Sequence, residues 1–370
     1  AQGPLRLLLH WPRRLAGPPP PGAMAGFMAG SFDLSSVGAL HDVQMNYYGQ
    51  RVAGAAGDNS VHVWDVTESQ PKQVGLLQGH EGPVWKVSWA HPKFGTVLAT
   101  CGYDMKVIIW KEERMQWQMA YMDTSHVASV NDVAFCPWEH GLRLACASSD
   151  GTVSVLTHSA QDQQWRRAVF SAHAGGAQTV SWAPVQHKEN PMAPVMRLAT
   201  GGCDNSVCVW KCEGEVWTQE SPPLPSVHRD WIRSVAWRPD GASVLASGSW
   251  DKTVIVWSQE MEGQPWRQVC KLPVAGKVEC LSWSCMGNIL AVSFGDSETV
   301  LYKEALDGHF EEIGKVSEQG YTELGNRPVV GAGACGLDGG AADATSPPTA
   351  SLSNELAMQQ QAVLDSFGMT

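Results

Sequence analysis

Through the middle of the chain the apolar positions fall in short runs, as at Val84–Trp89, Val97–Thr100, Val107–Trp110 and Gln116–Tyr121. Some runs alternate apolar with polar residues and others are continuously apolar, the patterns of half-buried and fully buried strands. Turn signals separate them, at Asp58-Asn59, Asp150-Gly151 and Asp240-Gly241. An aspartate side chain in such a turn bonds back to the local backbone. No apolar run reaches the ~18 residues of a membrane-spanning helix. The pattern predicts an all-β chain built of four-stranded units.

The units repeat. An aspartate, a β-rich run and an aromatic six residues on recur at Asp58–Trp64, Asp104–Trp110, Asp204–Trp210 and Asp251–Trp257. Weaker copies stand at Asp150–Leu156 and Asp296–Tyr302. Successive aspartates are 46, 46, 54, 47 and 45 residues apart, the longest interval holding an insertion near 188–194. Upstream of four of them, His80, His126, His173 and His228 each open a run with an aromatic nine residues on, at Trp89, Phe135, Trp182 and Trp237. The first and sixth units carry Ser36 and Val274 in the histidine place, and Met45 and Trp283 in the aromatic place. A third aromatic follows the motif, at Trp117, Trp165, Trp217, Trp266 and Phe310. Twelve of the 17 tryptophans lie on these positions, so the repeat itself explains the unusual tryptophan content. Such side chains suit the widening wedge between neighbouring blades.

Four strands at this period resemble the WD40 repeat of β-propellers. In that family the histidine, a hydroxyl on the second strand, the aspartate and the tryptophan form a hydrogen-bonded tetrad. The resemblance implies three complete sets: His80, Thr100, Asp104 and Trp110; His173, Thr200, Asp204 and Trp210; His228, Ser247, Asp251 and Trp257. A histidine beside an aspartate and a hydroxyl is also the constellation of a hydrolytic triad. Here it recurs at the same spacing in several units, whereas a catalytic centre is normally unique. No G-x-S-x-G, P-loop or H-E-x-x-H motif accompanies it. A non-enzymatic protein with no cofactor and no metal is expected.

Composition narrows the partners. Charged residues make up 17% of the chain and the net charge is −11. That argues against nucleic acid, whose phosphates call for clustered Lys and Arg. Ten scattered cysteines with no recurring C-x-x-C read as reduced, buried thiols of a cytosolic or nuclear protein. The ends differ from the middle. Residues 1–30, with the run Pro18–Pro21, are expected to be a disordered or spurious extension, with translation starting at Met24 or Met28. Residues 31–317 form the propeller, and 318–370, rich in Gly, Ala, Ser and Thr, are expected to be a disordered tail.

Six units can be counted and no seventh. A ring left open exposes blade faces and strand edges, a liability unless something covers them. The stretches GHEGPVWKVSWAHPKFGTVLATCGYDMKVIIWKEE (79–113), SVNDVAFCPWEHGLRLACASSDGTVSVLT (129–157), RDWIRSVAWRPD (229–240) and HDVQMNYYGQRVA (41–53) are similar to one family. It is the small WD40 propeller subunit of the COPII outer coat, shared with the nuclear pore Y-complex. The resemblance covers about residues 36–317; Leu156, in place of tryptophan, departs from the repeat. It implies a six-bladed open WD40 β-propeller, a scaffold completed in trans by a blade from an α-solenoid partner. That partner would be the large COPII outer-coat subunit in ER-to-Golgi transport, or a scaffold nucleoporin of the Y-complex. Some relatives also join a nutrient-signalling complex. The implied locations are the cytoplasmic face of ER exit sites and COPII vesicles, with membrane association only through the coat, and the nuclear envelope. The partner's blade would enter between Leu40, Val43, Met45 and Tyr47 of blade one and Val278, Leu281 and Trp283 of blade six. The alternative is another WD40 scaffold: the sister nuclear-pore propeller, a ubiquitin-ligase adaptor or a chromatin reader. The last two predict a seventh blade and a pocket at the top of the channel.

Overall fold

The computed structural model describes residues 8–10, 29–31, 37, 39–68, 70–185, 195–295, 298–305, 308–317 and 320–323. All belong to the unit spanning Ala1–Gly325. The described residues form strands and two 3-10 turns, Pro92–Phe94 and Trp138–His140. Six antiparallel sheets follow one another along the chain, each with its strands in sequence order. These blades occupy 40–78, 84–123, 130–171, 177–219, 232–273 and 278–323. Their first, inner strands are Leu40–Met45, Val84–Trp89, Val130–Phe135, Ala177–Trp182, Ile232–Trp237 and Val278–Trp283. Each inner strand packs on the next, from blade one through blade six. Among the described residues, no packing of that extent joins the inner strand of blade six to that of blade one.

Every inner strand carries the same irregularity near its start. Its pairing slips between Leu40 and Asp42, Val84 and Lys86, Val130 and Asp132, Ala177 and Thr179, Ile232 and Ser234, and Val278 and Cys280. A bulge of this kind re-aims the side chains that follow it. In blade two, Val84, Val87 and Trp89 consequently turn toward blade one, where they join Ala53, Val63 and Leu77.

The cores lie between blades rather than inside them. Five clusters each draw on two consecutive blades. Their outer rims are filled by the repeat's aromatics. Trp182 meets Trp217 edge-on at 5.7 Å, and Trp237 and Trp283 meet Trp266 and Phe310 the same way at 5.6 and 5.9 Å. Approach is close near the ring's centre, where a Cβ on Gly248 of blade five would lie 2.5 Å from Val278 Cγ1 of blade six. A sixth cluster, Val37, Val52, Ala56, Trp64 and Val66 with Leu40, Val43 and Met45 against it, belongs to blade one alone among the described residues.

The ends depart from the boundaries read from composition. Blade six has a fifth strand, Gly320–Glu323, paired with Phe310–Ser317, so the sheet passes the limit expected at 317. Leu8–His10 pairs with Ala29–Ser31 inside the stretch expected to be disordered, residues 1–30, and across its end. Composition averages over a segment, whereas a three- or four-residue strand needs only one partner edge. The insertion at 188–194, Asp296 and the rest of both ends lie outside the described residues.

Candidate functional site

The three tetrads assemble around their histidines. In blade five, His228 Nδ1 lies 3.0 Å from Asp251 Oδ2 and Nε2 lies 2.9 Å from Ser247 Oγ. A carboxylate can only accept, so Nδ1 carries the proton and Nε2 accepts from the serine hydroxyl. The indole N–H of Trp257 donates to the same oxygen at 2.8 Å. Burial lowers the His228 pKa, which keeps the ring neutral. Blade two repeats the arrangement, with His80 to Asp104 at 3.0 Å and Thr100 Oγ1 2.8 Å from His80 and 3.0 Å from Trp110. Blade four does so again, with His173 to Asp204 at 2.9 Å and Thr200 Oγ1 2.8 Å from His173 and 2.9 Å from Trp210.

These trios resemble a triad only on paper. Thr100, Thr200 and Ser247 are completely buried, and each already takes a tryptophan donor. A nucleophile needs a substrate within reach. Sealed hydroxyls hold the second and third strands of a blade together.

Two blades reach the same end by other residues, which the repeat alone did not reveal. In blade three, His126 contacts Asp150 at 3.1 Å, but its Nε2 meets Ser154 Oγ on the third strand at 2.7 Å. Cys146 occupies the second-strand place and Leu156 the tryptophan place, so the hydroxyl has moved across the sheet. In blade one, His62 approaches Asp58 at 3.3 Å and Ser60 at 2.9 Å while stacking on Trp64. The sequence signal was a histidine inside the repeat motif in place of one upstream of it.

The seams between blades carry a second system. An inner strand is a sheet edge, and its outward amides need partners. The preceding blade supplies them. Asp42 Oδ2 accepts from Val87 N–H at 3.1 Å, Asp132 Oδ2 from Val180 at 2.9 Å, Thr179 Oγ1 from Val235 at 3.3 Å and Ser234 Oγ from Leu281 at 3.1 Å. Lys86, a cation at the matching place in blade two, pairs with Asp42 at 3.2 Å instead. Burial alone would lower its pKa, but Asp42, with Cys280 and Asp132 behind it, holds it above the usual range. Burial also pushes the Asp132 carboxyl up, against Lys86 and two hydrogen-bond donors from blade four.

Among the described residues, the two end blades pack on one neighbouring blade each. Ser88, Asp132, Thr179 and Ser234 are buried beneath the following blade, whereas Cys280 and Ser282, their counterparts in blade six, are exposed. The Cys280 thiol turns back to the carbonyl of Leu281 at 3.8 Å. On blade one, Leu40, Val43 and Met45 lie against the cluster that, among the described residues, draws on no second blade.

The edge expected on blade six needs correction. Val278, Leu281 and Trp283 face blade five, and Trp283 donates its indole N–H to Ala236 O at 3.1 Å. After the bulge the strand alternates, so Cys280 and Ser282 take the open side. Tyr47 also leaves the open face: it lies past the end of the strand, exposed, and meets His91 of blade two at 5.0 Å.

Comparison with known proteins agrees with this architecture. The WD domain, G-beta repeat family matches residues 71–111, 165–211 and 223–258. Protein transport protein sec13 of Emericella nidulans is 40% identical over 298 residues, covering 75% of this chain and 95% of that protein. Protein SEC13 homolog of Drosophila melanogaster is 40% identical over 287 residues, 74% of this chain and 80% of its own length. Protein transport protein SEC13 of Yarrowia lipolytica is 42% identical over 290 residues, 75% of this chain and 96% of its own length. With repeats, six blades and matches over about three quarters of the chain in agreement, the chain belongs to the Sec13 family of WD40-repeat proteins.

Proposed function

We propose that this chain is a non-catalytic scaffold subunit of a COPII-type vesicle coat in ER-to-Golgi protein transport, its ring completed in trans by a blade from an α-solenoid partner. One observation carries the reading: the capping positions that are buried or half-buried at the internal seams are exposed at Cys280 and Ser282, and among the described residues blade one keeps a core cluster of its own. The relatives' names, protein transport proteins, supply the setting. An inserted blade would extend the propeller by β-augmentation and cover apolar surface on both sides. Such an interface belongs to the obligate class, above roughly 2,000 Å². The same opening would take the blade of a nuclear pore scaffold protein, so the two partners would compete for it.

Coexpression with the blade-bearing end of the large coat subunit tests the proposal. A 1:1 complex with a raised unfolding midpoint is expected, because a ligand that binds only the folded state stabilises it. A chain that stays monomeric, with its midpoint unmoved by saturating partner, refutes the reading.

A further inference from the structure

Resting on that open-ring reading, we infer that the end blades recognise the incoming inner strand by a backbone-capping code that fixes four consecutive residues of that strand. Four of the five seams inside the chain display the code in full, and the seam between blades two and three, where Lys86 pairs with Asp42, keeps its second half. At the first position after the bulge, Asp42, Asp132, Thr179 and Ser234 cap an amide of the next blade. The second position is aliphatic in every blade: Val43, Val87, Val133, Val180, Val235 and Leu281.

The third position works in one of two ways. Where it is serine, the hydroxyl accepts the backbone N–H of the next blade's fourth residue: Ser88 from Phe135 at 3.1 Å and Ser181 from Trp237 at 3.2 Å. Where it is Gln44, Ala134 or Ala236, its carbonyl accepts the indole N–H of Trp89, Trp182 or Trp283, at 3.0, 2.8 and 3.1 Å. The two modes alternate without overlap. Trp237, which follows a serine, leaves its indole nitrogen without a hydrogen-bond partner among the described residues.

Both edges of the opening belong to the serine mode. Blade six offers Cys280 and Ser282, so the incoming strand donates its second and fourth amides to that thiol and hydroxyl. Its fourth residue is an aromatic that needs no indole. Blade one presents the amides of Val43 and Met45, and Met45 has no side-chain N–H to place on a carbonyl. The incoming strand therefore caps them with its own first and third side chains. The occupant is a blade whose bulged inner strand reads Asp/Ser/Thr, then Val/Leu/Ile, then Ser/Thr, then an aromatic.

The test uses the full chain with the blade-bearing end of the large coat subunit, measuring affinity and amide exchange. Ser282→Ala is expected to weaken binding about 5-fold, and Ser282→Thr to restore it, the size of one net hydrogen bond. Cys280→Val costs about 3-fold, because a thiol accepts weakly; Cys280→Ser binds at least as tightly as wild type. Both sites are exposed, so the free chain's unfolding midpoint should not move. The Val43 and Met45 amides gain protection in the complex. If wild type binds tightly while Ser282→Ala and Cys280→Val bind equally well, or those amides exchange as in the free chain, the code is wrong and completion in trans stands. If wild type does not bind, both fall.

Discussion

Replacing Asp251 by alanine probes what the tetrads are for. The carboxylate accepts from His228 Nδ1 at 3.0 Å, from the amides of Arg229 and Thr253 at 3.0 Å each, and from Thr253 Oγ1 at 2.6 Å. Alanine leaves the buried His228 N–H with only the Thr253 hydroxyl, 3.3 Å away, as an acceptor, and losing the carboxylate there costs about 1–3 kcal/mol. The two turn amides lie nearer solvent and rehydrate, losing about 0.5 kcal/mol each. The sum is about 3 kcal/mol. At about 2 °C per kcal/mol for a fold of this size, the melting midpoint should fall by about 6 °C. Asp251→Asn keeps one acceptor oxygen and should fall between. Circular dichroism melts with urea titration measure both, and Asp162→Ala on an exposed turn is the control. Partner binding should decline only as folded protein declines. An unchanged midpoint with binding abolished would show that Asp251 is a contact residue, contrary to the structural role argued here.

The remaining expectations address other parts of the fold. Leu156→Trp restores the repeat's own residue yet should destabilise by about 1–3 kcal/mol, because Leu156 is fully buried in a packed cluster; a urea midpoint above wild type would reveal spare volume. Arg197, bonded to Glu220 at 2.7 Å and Gln259 at 2.6 Å and lying over Trp237 and Trp266, ties blade four to blade five. Arg197→Met should cost about 3–5 kcal/mol by stranding Glu220, and adding Glu220→Gln should recover part of that; additive losses would argue against coupling. Stability should also fall as pH drops. Burial lowers the pKa of His126 and His228, so below about pH 6.5 the unfolded chain takes up protons first. Against the upward push of burial, hydrogen bonds hold Asp104, Asp204 and Asp251 below the usual range, so a second loss comes only below about pH 4. Urea midpoints that stay flat from about pH 7 to pH 5 would contradict the histidine assignment.

Much of this molecule could be read along the chain because its information is local and repeated. Aspartate turns, apolar runs and evenly spaced aromatics recur in each unit, so the all-β class and six units followed from spacing, and the resemblance to WD40 repeats supplied the three tetrads. A motif such as Asp104 to Trp110 lies within one hairpin, and its parts meet wherever that hairpin folds. Exceptions within the repeat were harder to read. Ser154 replaces a hydroxyl from another strand, and His62 replaces a histidine from another loop, because the geometry asks for a donor at a point in space and not at a place in the sequence.

What only the tertiary structure decided is which way each inner strand faces. Apolar character alone put Val278, Leu281 and Trp283 on the open edge. One bulged residue before Cys280 sets the phase, so those side chains turn to blade five while a thiol and a hydroxyl face the gap. The sequence shows alternation but not its origin, and a shift of one residue exchanges the two faces of a strand. The capping seams were hidden for a related reason: each joins residues about one blade apart, such as Asp42 and Val87, and exists only once neighbouring blades are packed side by side.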